Sequence, residues 1–234
     1  MKETVLVVAA HPDDEVLGAG GTIARHADRG DRVTVLLCGE GVTARYDARG
    51  QAPAGRLESL RKQARAACAI LGVAEVRFLS FPDNRFDTLP FLDVVKPIER
   101  VKAEIDPTIV YTHHAGDLNG DHRIVHEAVL TAFRPKPGER LRALYAFEVA
   151  SSTEWAGPSA ARAFLPGRYV EIAATLDRKV RAMRAYRSEI QAAPHPRSPR
   201  SIRAKALSRG AEVGVAAAEA FEVIRQVVKD EKAK

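Results

Sequence analysis

Only two cysteines, Cys38 and Cys68, occur in 234 residues. One ends a strand-like run and the other sits in a helical pattern, so both read as reduced, buried thiols rather than a disulfide framework. No stretch approaches the ~20 apolar residues of a membrane helix. The run Val5-Leu6-Val7-Val8 is too short for a secretory signal core, so a cytoplasmic protein is expected. Aromatic residues are scarce at 6%, and Phe and Tyr are rare in the most basic stretch, residues 178–209. The stacking platforms of single-strand nucleic-acid binders are therefore missing, despite a net charge of +6. A solvated helix face, or a basic rim that attracts an anionic small substrate, is the expected use of that charge. There is no internal repeat and no low-complexity tract. The absence of a Gly-x-Ser-x-Gly elbow argues against a serine hydrolase.

What the chain does contain is an ordinary globular composition, 46% hydrophobic and 28% charged. At this length it is enough for one large domain over residues 1–234 with its own core. The first two-thirds alternate strand-like and helix-like segments. Residues 4–10 form a valine-rich run that fits a strand buried on both faces, and residues 15–29 follow with a helical pattern that stops at Gly30. Further strands are expected at 32–38, 75–79 and 108–112, with short ones at 144–149 and 169–172. Helices are expected at 56–71, 91–105 and 121–133, then at 176–189, 199–208 and 213–228. The predicted fold is α/β: a Rossmann-like, mostly parallel sheet with helices on both faces and a helical C-terminal part. In such sheets a ligand sits beyond the carboxyl ends of the strands. His11, Gly39, Asp83 and the pair His113-His114 all follow strands and so converge on that edge.

His11-Pro12-Asp13-Asp14-Glu15 occupies the turn after the first strand. His11 and Asp14, three apart, can bring an imidazole nitrogen and a carboxylate oxygen to one ion, a pairing suited to zinc. Pro12 stiffens the turn. Taken alone, the segment fits equally well as a helix cap preceded by a satisfied core histidine. The stretch Tyr111-Thr112-His113-His114-Ala115-Gly116-Asp117-Leu118-Asn119-Gly120-Asp121-His122, with His126 beyond it, tips the balance, because most of the chain's seven histidines fall in these two places. Two histidines and one carboxylate leave a zinc position open for water. His122 and His126, four apart on a helix, could chelate together, but with His11 and Asp14 they would close the shell. His122 is the favoured ligand, since Asp121 beside it can orient the loop through hydrogen bonds. Asp13, adjacent to a ligand yet not needed as one, is suited to take a proton from water and pass it to a leaving amine.

These two segments resemble the PIG-L/LmbE-like family of zinc N-deacetylases. That family includes deacetylases of N-acetylglucosaminyl-phosphatidylinositol and of the glucosaminyl precursors of mycothiol and bacillithiol. The resemblance extends to Arg56-Leu57-Glu58, Phe81-Pro82-Asp83-Asn84 and His195-Pro196-Arg197-Ser198, and so covers nearly the whole chain. It implies a Rossmann-like fold, Zn2+ held by His11, Asp14 and His122, Asp13 as general base, and His195 as a donor to the tetrahedral oxyanion. The implied reaction is hydrolysis of the N-acetyl amide of a GlcNAc-like amino sugar, nucleotide-linked or belonging to surface-polysaccharide or glycoconjugate biosynthesis. One departure matters. Several members carry a histidine three residues before the last zinc ligand, where this chain has Asn119, which would then serve as a neutral donor to the substrate. The Asp-Leu-Asn form resembles members associated with surface-polysaccharide and nucleotide-sugar pathways. Arg56 and Asp83 are further candidates for substrate contacts, Arg197 and Arg200 for a phosphate if the substrate bears one, and Trp155 for stacking on a sugar ring. A homo-oligomer is compatible with these features.

Two other functions compete. Gly18-Ala19-Gly20-Gly21 after the first strand, with Glu40 about 20 residues on, suggests a dinucleotide-binding protein. The glycines nevertheless come too late: His11 to Glu15 fills the turn they would need to open, and Ile23 stands where the third glycine belongs. Close packing of the helix on the sheet is the better use of them. The second alternative is a related zinc amidase acting on a non-acetyl sugar conjugate.

Overall fold

Apolar residues fill β1 (Thr4–Ala9), and Val5, Val7 and Ala9 enter one core while Leu6 and Val8 enter another on the opposite face. Both faces of this strand are therefore covered, as its unbroken hydrophobic run requires. The structure, a computed structural model, describes residues 2–53 and 55–228. Parallel partners flank β1: β2 (Arg32–Gly39) on one side and β4 (Ile109–His113) on the other. With β3 (Glu75–Phe81), β5 (Ala143–Phe147), β6 (Arg168–Glu171) and β7 (Ala218–Gln226), they form a seven-stranded sheet in the order β3-β2-β1-β4-β5-β7-β6. One core packs α1 (Asp14–Asp28), α2 (Arg56–Leu71), α5 (Leu176–Ala185) and α6 (Pro199–Ala211) on one face. The other packs α3 (Phe91–Ile105) and α4 (Gly120–Ala132) on the opposite face. The α/β, Rossmann-like, mostly parallel architecture expected from the sequence is present.

The chain leaves β1 toward β2 and β3, then returns across the sheet to β4. The strand order reverses between β1 and β4, so their carboxyl ends open a crevice there. His11 follows β1 and His113 ends β4.

The C-terminal segment corrects the sequence reading. Residues expected to form a helix at 213–228 include β7, the one strand that runs against the others, hydrogen-bonded to β5 on one side and β6 on the other. Alanine and glutamate favour a helix locally, but pairing on both sides satisfies the strand's backbone, and tertiary context overrides propensity. The helix expected at 176–189 stops at Ala185, and Tyr186 turns inward to full burial. Nor is the basic stretch a purely solvated face. Lys179 is buried against Glu219 at 2.5 Å, Arg197 reaches Asp13, and Arg209 pairs with Glu148.

All three glycines of the supposed dinucleotide fingerprint lie inside α1, and two of them allow close approach. A Cβ at Gly18 would stand 2.3 Å from the Phe147 ring, and one at Gly21 would stand 2.7 Å from Ile172. Cys38 and Cys68 are free and buried. No helix among the described residues is long and apolar enough to cross a membrane.

Candidate active site

The carboxyl ends of β1 and β4, the loop after β3 and the start of α4 enclose a cleft of about 520 Å³. His11, Asp13, Asp14, Asp83, Asn119, His122 and Trp155 line it, together with Arg45, Glu189 and Arg197. At its floor Asp14 Oδ2 lies 3.5 Å from His11 Nδ1, 3.2 Å from His122 Nε2 and 3.6 Å from His113 Nε2. Asp14 is held there because its Oδ2 also accepts the backbone N–H of His11 at 2.8 Å.

The far nitrogen of each of two histidines is fixed by a carboxylate. His11 Nε2 donates to Asp121 Oδ2 at 2.9 Å, and His122 Nδ1 donates to Asp117 Oδ2 at 2.8 Å. That leaves His11 Nδ1, His122 Nε2 and Asp14 Oδ2 directed at one another, and ligand atoms of these three residues lie within 4.8 Å of one another. Carboxylate-held imidazoles of this kind are the usual support of a metal site. Two further groups have metal-ligand spacing, His113/Asp117/His122 and His11/Asp83/Asp121. The imidazole nitrogens that face their carboxylates carry protons. His113 Nε2 accepts the Ala10 N–H at 2.8 Å, which puts its proton on Nδ1, and Nδ1 has no hydrogen-bond partner among the described residues. His11 can reach Asp83 and Asp121 only through the Nε2 that Asp121 holds.

The electrostatics point the same way. Burial opposes charge on His11, but Asp121 and Asp14 override it and push the imidazole up to about 10. His122 is likewise pushed up to about 9 against burial, chiefly by Asp14 and Asp117. Against the same burial, His122, His11 and His113 hold Asp14 well below the usual carboxylate range. Asp14, Asp83, Asp117 and Asp121 thus surround two imidazoles with excess negative charge, which a proton or a divalent cation can balance. Two imidazole nitrogens and one carboxylate oxygen fit zinc with one position left open.

Asp13 experiences the opposite conditions. Burial raises its carboxyl well above the usual range, reinforced by Asp14, Glu189 and Glu15 and opposed by Arg197. Arg197 Nη1 donates to Asp13 Oδ2 at 2.9 Å and its Nε to Ser151 Oγ at 2.8 Å. The Asp13 backbone is left-handed, with φ of 109°. That conformation is costly outside glycine, and the Asp13 N–H is held in it by Glu15 Oε2 at 3.0 Å. Glu15 is itself pinned by the Tyr186 hydroxyl at 2.5 Å.

The remaining sequence candidates divide. Asp83 is buried in the cleft and accepts the Ala44 N–H and the Asn84 side-chain amide, both at 3.0 Å. Asp121 serves His11 and the loop after β3, accepting from the N–H groups of Asn84 at 2.7 Å and Phe86 at 3.0 Å. Support of His122, expected from Asp121, comes instead from Asp117. Asn119 lines the cleft while capping α4: its Oδ1 accepts the Asp121 N–H at 2.9 Å and its Nδ2 donates to Asn84 Oδ1 at 3.0 Å. Trp155 is 51% exposed on the rim. Arg56 and His195 do not line the cleft. Arg56 opens α2 in an exposed position behind Arg45 and Tyr46. His195 packs edge-on against Trp155, ring centroids 5.6 Å apart, and its Nδ1 accepts the Arg197 N–H. His126 turns away, donating to the His113 carbonyl at 2.8 Å.

Sequence reasoning missed Asp117, although it opens the same motif five residues before His122. It also missed Glu189 and Tyr186, which reach the site only because α5 ends early; no local pattern marks them.

The sequence family described as GlcNAc-PI de-N-acetylase, PIG-L, matches residues 6–133. The chain belongs to the PIG-L family. This makes it a hydrolase acting on a linear amide bond. A probable N-acetyl-alpha-D-glucosaminyl L-malate deacetylase 2 from Bacillus cereus is 30% identical to this PIG-L member over 82% of this chain and 86% of the relative. Among solved structures, the N,N'-diacetylchitobiose deacetylase of Pyrococcus horikoshii shares the fold, with a TM-score of 0.73 and 20% identity over 94% of this chain and 83% of the other. The 4-carboxy-2-hydroxymuconate hydratase of Pseudomonas putida superposes with a TM-score of 0.75 and 25% identity, covering 100% of both chains.

Proposed function

We propose that the protein removes the N-acetyl group of a GlcNAc-like amino sugar, using a zinc ion held by His11, Asp14 and His122 and the carboxylate of Asp13 as general base. The observation that carries this reading is the pair of carboxylate-held histidines, whose remaining nitrogens face Asp14 at the floor of a sugar-sized cleft beside a buried, charge-raised aspartate. Zinc in this position supplies Lewis acidity toward the amide carbonyl and acidifies water.

The residues do the rest. Asp13 Oδ2 accepts the proton of the attacking water and returns it to the departing amine nitrogen; a carboxyl raised above its usual range by burial suits both tasks. Glu15 and Tyr186 keep the Asp13 backbone in its left-handed turn, so the carboxylate stays in place between the two proton transfers. Arg197 is the cationic side chain beside the base, and we assign it to orienting the Asp13 carboxylate that its Nη1 holds at 2.9 Å. His195, one residue removed from the cleft, positions Arg197 through its N–H. Asp83 accepts sugar hydroxyls, Asn119 offers its remaining amide hydrogen, and Trp155 covers a ring face. Arg56 belongs to the outer rim.

Full-length likeness to the hydratase favours a second reading, addition of water to an unsaturated tricarboxylate. Such a substrate needs free cations to clamp its carboxylates. Arg45 is held by Glu189 at 2.6 Å, and Arg197 is held by Asp13 and Glu189. The amide reading fits this cleft better. A screen for acetate release over N-acetylated sugars, with 4-carboxy-2-hydroxymuconate as the competing substrate, decides between them. Acetate is expected from at least one sugar, and turnover of the muconate alone contradicts the proposal.

A further inference from the structure

α1 begins at the floor of the cleft with Asp14 and carries its last turns away from it. Thr22 lies about 12 Å further along the helix axis. There a small cavity of about 30 Å³ is lined by Thr22, Arg25, His26 and Arg29 of α1 and by Arg168 and Val170 of β6. It shares no residue with the cleft.

Two polar atoms on its wall are buried without a hydrogen-bond partner among the described residues: the Thr22 hydroxyl and Arg168 Nε. Thr22 is only 1% exposed. A guanidinium N–H can only donate and a hydroxyl can donate as well, so the partner that suits both is an acceptor.

The positive charge around them is uncompensated. Arg25, Arg29 and Arg168 form no ion pair among the described residues. Arg25 Nη1 donates to the Glu171 carbonyl at 3.0 Å, and Arg168 lies over the Tyr145 ring at 4.5 Å. No carboxylate lines the cavity among the described residues. Alternation along β6 puts the exposed Glu171 on the face opposite Arg168 and Val170. Asp28 pairs with Arg178, and Asp31 is held by His26 Nδ1 at 2.6 Å and the Glu3 N–H at 2.9 Å. His26 senses the resulting field: burial holds its imidazole below the ordinary range, and Arg168 and Arg29 press the same way against Asp31. The neutral ring donates to Asp31 and accepts the Tyr111 hydroxyl at 3.1 Å, so it forms a wall rather than a ligand.

Size narrows the ligand. About 30 Å³ admits roughly two oxygen atoms, not a sugar ring, so the remainder of the ligand must face the exposed Arg25 and Arg29. Guanidinium forks and a hydroxyl suit a tetrahedral oxyanion, and three unpaired cations favour a dianion over chloride.

We propose that this cavity is a phosphoryl-binding site, in which a phosphate group bridges α1 and β6 away from the cleft. β6 stands at the edge of the sheet, against β7, so the bridge fastens an edge strand and its occupancy stabilises the fold.

Thermal unfolding and titration calorimetry of the whole protein in sodium phosphate, against sodium chloride of equal ionic strength, test this. The melting temperature should climb by about 3–5 °C for each tenfold rise of phosphate above Kd, and chloride should not reproduce the rise. Arg29→Gln, on the exposed surface, and Thr22→Val, close to isosteric, should each weaken phosphate binding by about tenfold or more, the worth of a hydrogen bond to a charged group. Circular dichroism of the phosphate-free variants separates loss of the site from loss of the fold. Glycerol 3-phosphate and ATP identify the source: equal Kd values make free phosphate sufficient, and tighter binding of either points to a phosphorylated metabolite. Binding that survives both substitutions, or that is lost instead in Arg197→Gln of the cleft, puts the anion elsewhere and overturns the proposal. A melting temperature that follows ionic strength alone leaves the cavity to water and overturns it as well.

Discussion

Asp13 and Asp14 are adjacent in sequence yet electrostatically opposite. Three histidines hold Asp14 charged, whereas three carboxylates and burial push Asp13 toward its neutral form, against Arg197. In the proposed mechanism, Asp14 grips the ion and Asp13 moves the proton. Asp13→Asn should therefore lower kcat by about 10²–10⁴-fold, the usual value of a general base, while metal content stays unchanged. Loss of metal together with activity would mean that Asp13 is a ligand. Asp117→Asn removes the charge that holds His122 Nδ1, and metal affinity should fall by about 10–100-fold in a chelator competition. An unaltered affinity would remove Asp117 from the site. The titration has a definite sign. In the metal-free protein His11 and His122 stand at about 10 and about 9, raised from 6.5. Their protonation stabilises the metal-free fold fully below that ordinary value, and the stabilisation is lost as pH rises through 9 and then 10. Zinc must displace these protons, so its affinity rises with pH, and binding near pH 7.5 should release about two protons. Calorimetry in buffers of different ionisation enthalpy reads this directly, and a buffer-independent heat would contradict it. His11, Asp14 and His122 were legible because most of the chain's seven histidines fall in two short segments that also carry the carboxylates. Asp117 was not, since its partner is set by how the start of α4 folds back beneath β4.

At the scale of elements, β7 is the informative piece. Its sequence, Ala-Glu-Ala-Phe-Glu-Val-Ile-Arg-Gln, reads as readily as a helix as a strand. Only the open edge of β5, invisible to local pattern, decides between them. Once inserted, β7 carries Glu219 into the core, where it accepts the N–H groups of Gly21 at 2.9 Å and Thr22 at 2.7 Å and the Lys179 ammonium at 2.5 Å. This carboxylate fastens α1 and α5 to the strand. Lys179→Met leaves a buried charge without its counterion and should cost about 3–5 kcal/mol in urea denaturation. Adding Glu219→Gln should recover part of that loss; a single substitution within experimental error of the parent would show that the pair fastens nothing. The β1–α1 unit was legible in advance, since a continuous valine run and the stop at Gly30 mark it, and α4 was legible from the apolar face of Ile124, Val125, Ala128 and Val129. The early end of α5 was not, because Tyr186 is drawn inward by Glu15 rather than by any helix-stop residue.

For the whole molecule, the reversal of strand order between β1 and β4 brings two distant segments of sequence to one crevice. The fold class was legible from alternating strands and helices, and that topology predicts where a ligand goes. It does not predict a cavity between Thr22 and Arg168 further along α1, because such a site depends on how separate units meet. Family membership makes the chain a hydrolase; the metal and the sugar proposed for this cleft are open to direct measurement. The central claim is that catalysis depends on an ion held by His11, Asp14 and His122. Metal analysis of the purified protein, followed by acetate-release assays before and after exhaustive chelation and after zinc is restored, tests it most directly. The expected result is ~1 zinc per chain, with activity lost on chelation and regained with zinc; acetate release that persists in the metal-free protein would contradict the claim.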